Sequence, residues 1–144
     1  MKKIFLFLTF MLSITLAKAQ YTKVNVINNT SRTDMYVSFT GNNGTGVPCS
    51  ITNTTSPTGP LAPSTTYSFT TTSVSWSGSG TVIGFVGFNF DIIPTFGPMD
   101  PGPIVGLCLG TIPPSPFVYI FTSGARYNLY FSFPAPGEIT VEIR

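Results

Sequence analysis

Beyond residue 20 the apolar positions recur with a period of two, in short runs set between glycine and proline, and none follows the 3.6-residue period of a helix. In Tyr21 to Asn28, Val24 and Val26 share a face. After a turn at Asn29 to Thr33, Met35, Val37 and Phe39 alternate with Tyr36, Ser38 and Thr40. Gly41 to Gly46 breaks the pattern, and Ser50 to Pro63, rich in Thr, Ser and Pro, reads as a long surface loop. Tyr67, Phe69 and Thr71 then point one way, while Thr66, Ser68, Thr70 and Thr72 form a row of hydroxyls facing the other. Ser77 to Gly80 is predicted to turn the chain.

Thr81 to Phe90 carries Val82, Val86, Phe88 and Phe90 on one face and Ile83 and Phe85 on the other, the signature of a central strand covered on both sides. Pro94, Pro98, Pro101 and Pro103 follow, each lacking the N–H that a ladder needs, with Phe96 and Met99 between them. That loop is the least ordinary stretch of the chain. Ile104 to Leu109 is another apolar run. Phe117 to Thr122 and Tyr127 to Phe133 flank Ser123-Gly124 as a hairpin, and Ile139, Val141 and Ile143 oppose Glu138, Thr140, Glu142 and Arg144 in a last strand whose charges suit a sheet edge. Roughly eight to ten strands are enough for two packed sheets, so the expectation is an all-β, single-domain antiparallel β-sandwich over 20–144.

The start of the chain has a different character. Met1-Lys2-Lys3 is followed by the apolar Ile4 to Leu16 and by the small residues of Ala17-Lys18-Ala19, the layout of a secretory signal peptide spanning 1–19 and cleaved after Ala19. The apolar run is shorter than the roughly 20 residues that span a bilayer, and no transmembrane span is expected after cleavage. The signal has a bacterial look, and the expected location is secreted or periplasmic.

Cleavage changes the charge. With Lys2, Lys3 and Lys18 removed, four basic residues remain against five acidic ones, so the basic character of the full chain belongs to the leader. Lys23, Arg32, Arg126 and Arg144 are scattered, whereas phosphate binding takes a clustered basic patch, so no nucleic-acid partner is expected. Cys49 and Cys108 are the only cysteines, and in an oxidising compartment each is the other's natural disulfide partner.

The chain has no histidine, which removes Ser-His-Asp and Cys-His nucleophile systems and histidine-ligated metal sites. Lys23 would be the only lysine left for a Ser-Lys pair. Two carboxylates suffice for a glycosidase, but Glu138 and Glu142 on one strand face stand about 13 Å apart at Cα, beyond the ~5 to 9.5 Å of catalytic pairs. Asp91 and Asp100 flank the proline-rich loop and are the candidate pair for a carboxylate-dependent hydrolase, or for a calcium ion, although turn-forming aspartates explain them as well. No cofactor is expected.

Binding is easier to build from what remains. Trp76 between Ser75 and Ser77 offers an aromatic platform for a sugar ring, or else a core side chain, and Phe96 and Met99 offer apolar contacts in a loop. The opening Val24-Asn25-Val26-Ile27-Asn28-Asn29-Thr30 and the Leu61 to Phe69 phrase are similar to the first strands of exported sandwiches, thaumatin-like ones among them, which carry many cysteines where this chain has two. The expected function is a non-catalytic binding module for a neutral glycan or protein surface, using Trp76, Phe96 and Met99. The alternatives are a self-assembling structural subunit, favoured by the sparse charge, and a hydrolase using Asp91 and Asp100.

Overall fold

The alternation read in the sequence becomes ten strands and no helix in the computed structural model, which describes residues 21–45, 47, 49–108 and 112–144. The expected signal peptide lies outside the described residues. Strands β1 (Lys23–Asn28), β2 (Met35–Asn42), β3 (Asn53–Thr55), β4 (Thr65–Thr70) and β5 (Trp76–Gly78) are followed by β6 (Gly84–Ile92), β7 (Ile104–Gly106), β8 (Phe117–Ile120), β9 (Arg126–Ala135) and β10 (Glu138–Ile143). They form two five-stranded sheets, ordered β4-β1-β10-β9-β8 (sheet B) and β5-β3-β2-β6-β7 (sheet A). The inward residues of both sheets make one core in which Val24, Val26, Met35, Val37, Phe39, Leu129, Ile139, Val141 and Ile143 are buried, as their parity predicts. Burying a side chain such as Phe39 is worth roughly 2 to 3 kcal/mol relative to leaving it in water. This is a β-sandwich.

Several expectations are corrected by pairings that no local pattern encodes. The last strand is not an edge: β10 lies inside sheet B, parallel to β1 and antiparallel to β9, so one strand pair departs from the antiparallel rule. Its charges tolerate that position because they face outward onto partners. Glu138 bonds Lys23 at 2.9 Å and Asn25 at 2.6 Å, and Glu142 bonds Arg144 at 2.7 Å and the side chain of Asn29. Both carboxyls are held below their ordinary range, Glu138 chiefly by Lys23 and Glu142 chiefly by Arg144.

Ser50 to Pro63 is likewise more than a surface loop, for it contains β3, a bridge from Thr58 to Val37, and the fully buried Leu61. Its polar side chains do ladder work: the Thr55 hydroxyl accepts the Phe39 N–H at 2.9 Å. The stretch expected to turn at Ser77 to Gly80 starts within β5, which extends sheet A by pairing with β3. In β6 an irregularity opposite Thr40 and Gly41 leaves Val86 without a register partner. This bulge turns Phe85 onto the same face as Phe88 and Phe90 instead of the opposite one, and Phe85 packs 5.1 Å from the Phe39 ring. The other face of β6 carries the buried Asp91 and the half-buried Asn89, while Ile83 precedes the strand and is exposed.

The register defines two ends. At one, β2 begins at Met35, β6 finishes at Ile92, and the β8–β9 hairpin turns. At the other, β2 finishes at Asn42, β6 begins at Gly84, and the expected Cys49–Cys108 disulfide joins the β2–β3 connection to the chain after β7, with Cα atoms 6.0 Å apart. No helix among the described residues is long and apolar enough to cross a membrane.

Candidate cleft at the hairpin end

The proline-rich segment is shaped by what proline removes. After Ile92 the chain keeps one ladder step, Ile93 N–H to Asp34 O at 2.9 Å, and then extrudes from Pro94 to Met99, turning at Gly97 where φ is +113°. It rejoins the sheet through Asp100, whose backbone exchanges two bonds with Ile92 (3.1 and 2.9 Å). The loop therefore leaves and re-enters the sheet at almost the same point.

Two aspartates brace it. The Asp100 carboxylate accepts from Thr122 N–H (3.2 Å), Thr122 Oγ1 (2.5 Å) and Ser123 N–H (3.0 Å), pinning the loop to the apex of the β8–β9 hairpin. Those bonds, from Ser123 first and Thr122 next, pull its carboxyl down to about 2. Asp91 accepts from Asn89 Nδ2 at 2.9 Å and from the Gly102 N–H at 3.0 Å, fixing the strand-side exit of the same loop. Gly102 is needed there, because a Cβ would stand 1.6 Å from the Phe90 carbonyl oxygen. The two carboxylates thus engage separate sets of donors. Among the described residues no group of three or more His, Cys, Asp or Glu side chains comes together in a way that could hold a metal ion.

Between loop, hairpin and the β1–β2 turn lies a cleft of about 380 Å³, walled by Arg32, Ile92, Pro94, Phe96, Gly97, Pro98, Met99, Asp100, Thr122 and Ser123. Phe96 is 92% exposed and Met99 53% exposed. The Arg32 guanidinium is gripped by both oxygens of Asp34, at 2.8 and 2.6 Å, which raises its pKa and lowers that of Asp34. The charges in and behind the walls are therefore already engaged within the protein, beside the apolar Phe96, Pro98 and Met99.

Of the residues singled out in the sequence, Phe96, Met99 and Asp100 meet in this cleft. Asp91 supports it from the outer face of sheet A. Trp76 lies elsewhere: it sits half-buried on the edge strand β5, its ring 5.6 Å from that of Phe85 and its indole N–H donating to Thr71 O at 2.8 Å. Arg32, Thr122 and Ser123 carry no local signal that would have placed them here, since they come from turns distant along the chain.

Compared with known protein families, curated proteins and solved structures, the chain matches none.

Proposed function

We propose that this protein is an exported, non-catalytic binding domain that holds a neutral ligand, a glycan or an uncharged protein surface, in the cleft at its hairpin end. The observation carrying the reading is Phe96, an aromatic side chain 92% exposed on a loop anchored at both of its roots. Leaving such a ring in water forgoes the apolar burial that folding normally supplies, and contact with a ligand would recover it. A sugar ring offers an apolar face to Phe96 and Met99, with its hydroxyls toward the Thr122 and Ser123 side. Carboxylate chemistry is disfavoured because Asp100 and Asp91 already serve as acceptors for the fold, and a carboxyl held near 2 is a weak base at neutral pH. The disulfide suits an oxidising compartment, which supports the export reading.

A glycan array probed with oxidised, purified protein, followed by calorimetry on the hits, tests the proposal. Phe96→Ala and Met99→Ala should each weaken binding about tenfold, in keeping with a lost apolar contact of ~1.4 kcal/mol, while leaving the melting temperature unchanged. Full-strength binding by the double variant would remove the cleft from consideration.

A further inference from the structure

We propose that β8 is a pairing edge for a second copy of this chain, joining two sheets B about a two-fold axis that passes beside Tyr119. The proposal rests on the strand edge and is independent of the cleft reading. β8 is the last strand of sheet B, so among the described residues one of its sides has no neighbouring strand. Which backbone groups face that side follows from β9. Asn128 exchanges both of its backbone bonds with Arg144, at 2.8 and 2.9 Å, so its groups point away from β8, and Val118 opposite it is left with N–H and C=O turned outward. The period of two gives Ile120 the same direction. Phe121 N–H donating inward to Ala125 O at 2.8 Å agrees with this parity.

An antiparallel copy with its Ile120 opposite Val118, and Tyr119 opposite Tyr119, gives every outward group a partner. It also sets Val118 and Ile120, 39% and 62% exposed, beside each other on one face of the joined sheet. Edges are normally protected by lysine, proline or a bulge, and Phe117 to Phe121 contains neither charge nor proline. The nearest formal charge, on Arg126 opposite Ile120, does not oppose the pairing. From strand spacing the two Arg126 copies would stand roughly 16 Å apart, about two screening lengths in physiological salt. The opposite edge of sheet B, β4, lacks this chemistry, for its outward side chains are Thr66, Ser68 and Thr70, and Ser73 bonds the N–H and C=O of Thr70. Val118 and Ile120 offer apolar area on the order of 200 Å² per copy, against ~800 Å² per partner in a standard interface, so the dimer is weak.

Sedimentation and light scattering of oxidised protein from micromolar to millimolar concentration provide the test. The expected result is a concentration-dependent dimer that Ile120→Lys or Val118→Lys abolishes and that Thr66→Lys on β4 and Phe96→Ala leave intact. Amide exchange at Val118 and Ile120 should slow several-fold as concentration rises. A protein monomeric throughout, or a dimer that survives both β8 variants with these amides unprotected, overturns the proposal. Since Ile120 is largely exposed, its variant should fold, which an unchanged circular dichroism spectrum confirms.

Discussion

The two ends of the sandwich are held by different chemistry. At the far end a covalent link, Cys49–Cys108, ties the β2–β3 connection to the chain after β7. At the cleft end non-covalent contacts carry the load, with Asp100 bonded to the hairpin, Asp91 to Gly102, and the Asp34–Arg32 ion pair. Each end also has a buried asparagine where a strand stops. Asn28 donates to Arg32 O and Leu61 O and accepts from Thr30 N–H, whereas Asn42 donates to Ser50 O and accepts from Gly44 N–H. Both use a side-chain amide to hold a departing loop, yet only one end adds a bond that survives acid. The comparison teaches that the end presenting Phe96, 92% exposed, is the one whose restraints are reversible.

The largest effect should come from removing the covalent restraint. Closing a loop of 59 residues is worth roughly 4 kcal/mol on the chain-entropy model, so Cys49→Ser with Cys108→Ser should lower the urea midpoint accordingly and leave the cleft residues in place. If stability is unchanged, the far end is held by its hydrogen bonds too, and the contrast fails. Gly102→Ala is next: its Cβ meets the Phe90 carbonyl, and the overpacking should cost on the order of 3 kcal/mol, displacing the loop root as seen by chemical shifts of Asp91 and Asn89. A silent substitution would mean that the root is not rigid.

Asn28→Ala and Asn42→Ala sharpen the comparison directly. Each strips partners from buried backbone groups and should destabilise by about 2 kcal/mol in denaturant titrations. With the disulfide intact, the local amide protection lost should be greater around Asn28 than around Asn42. Equal losses would show that the disulfide does not stiffen its own end.

The smallest effect is on pH. Asp100 has its carboxyl pulled down from 3.8 to about 2, so its contribution to stability is whole above the unfolded value and lost as pH falls through the folded one. Thermal melts should therefore show the hairpin end loosening between about pH 4 and pH 2, and Asp100→Asn should flatten that part of the profile. Only Glu138 among the lowered carboxyls lies at the far end, against Asp100, Asp34 and Glu142 at the cleft end, so the far end should respond less. An unchanged profile in the Asn variant would assign the acid response to the other carboxylates.

Much of this molecule was readable residue by residue. The alternation of Met35, Val37 and Phe39, the Ser123-Gly124 hairpin and the buried face of Ile139, Val141 and Ile143 are local patterns, and the core confirms each. Parity alone puts Phe85 on the wrong face, because a bulge shifts it by one residue, and the sequence marks its position only with the small Gly84 and Gly87. The candidate site was half visible. Phe96 and Met99 stand out as apolar residues among prolines, but the donors that occupy Asp100 come from Thr122 and Ser123, more than twenty residues away along the chain. Nor does Trp76 announce that it packs against Phe85 at the edge of sheet A.

The sequence by itself determined the class of secondary structure, the inward face of most strands, the sole possible disulfide partners and the absence of histidine chemistry, because each depends on neighbouring residues or on composition. The tertiary structure decided that β10 runs inside a sheet parallel to β1, that Leu61 belongs to the core, and that Asp91 and Asp100 brace one loop through separate partners. Those outcomes turn on contacts between distant parts of the chain, such as Lys23 with Glu138 at a separation of 115 residues, and a pairing of that span leaves no periodic trace in either segment.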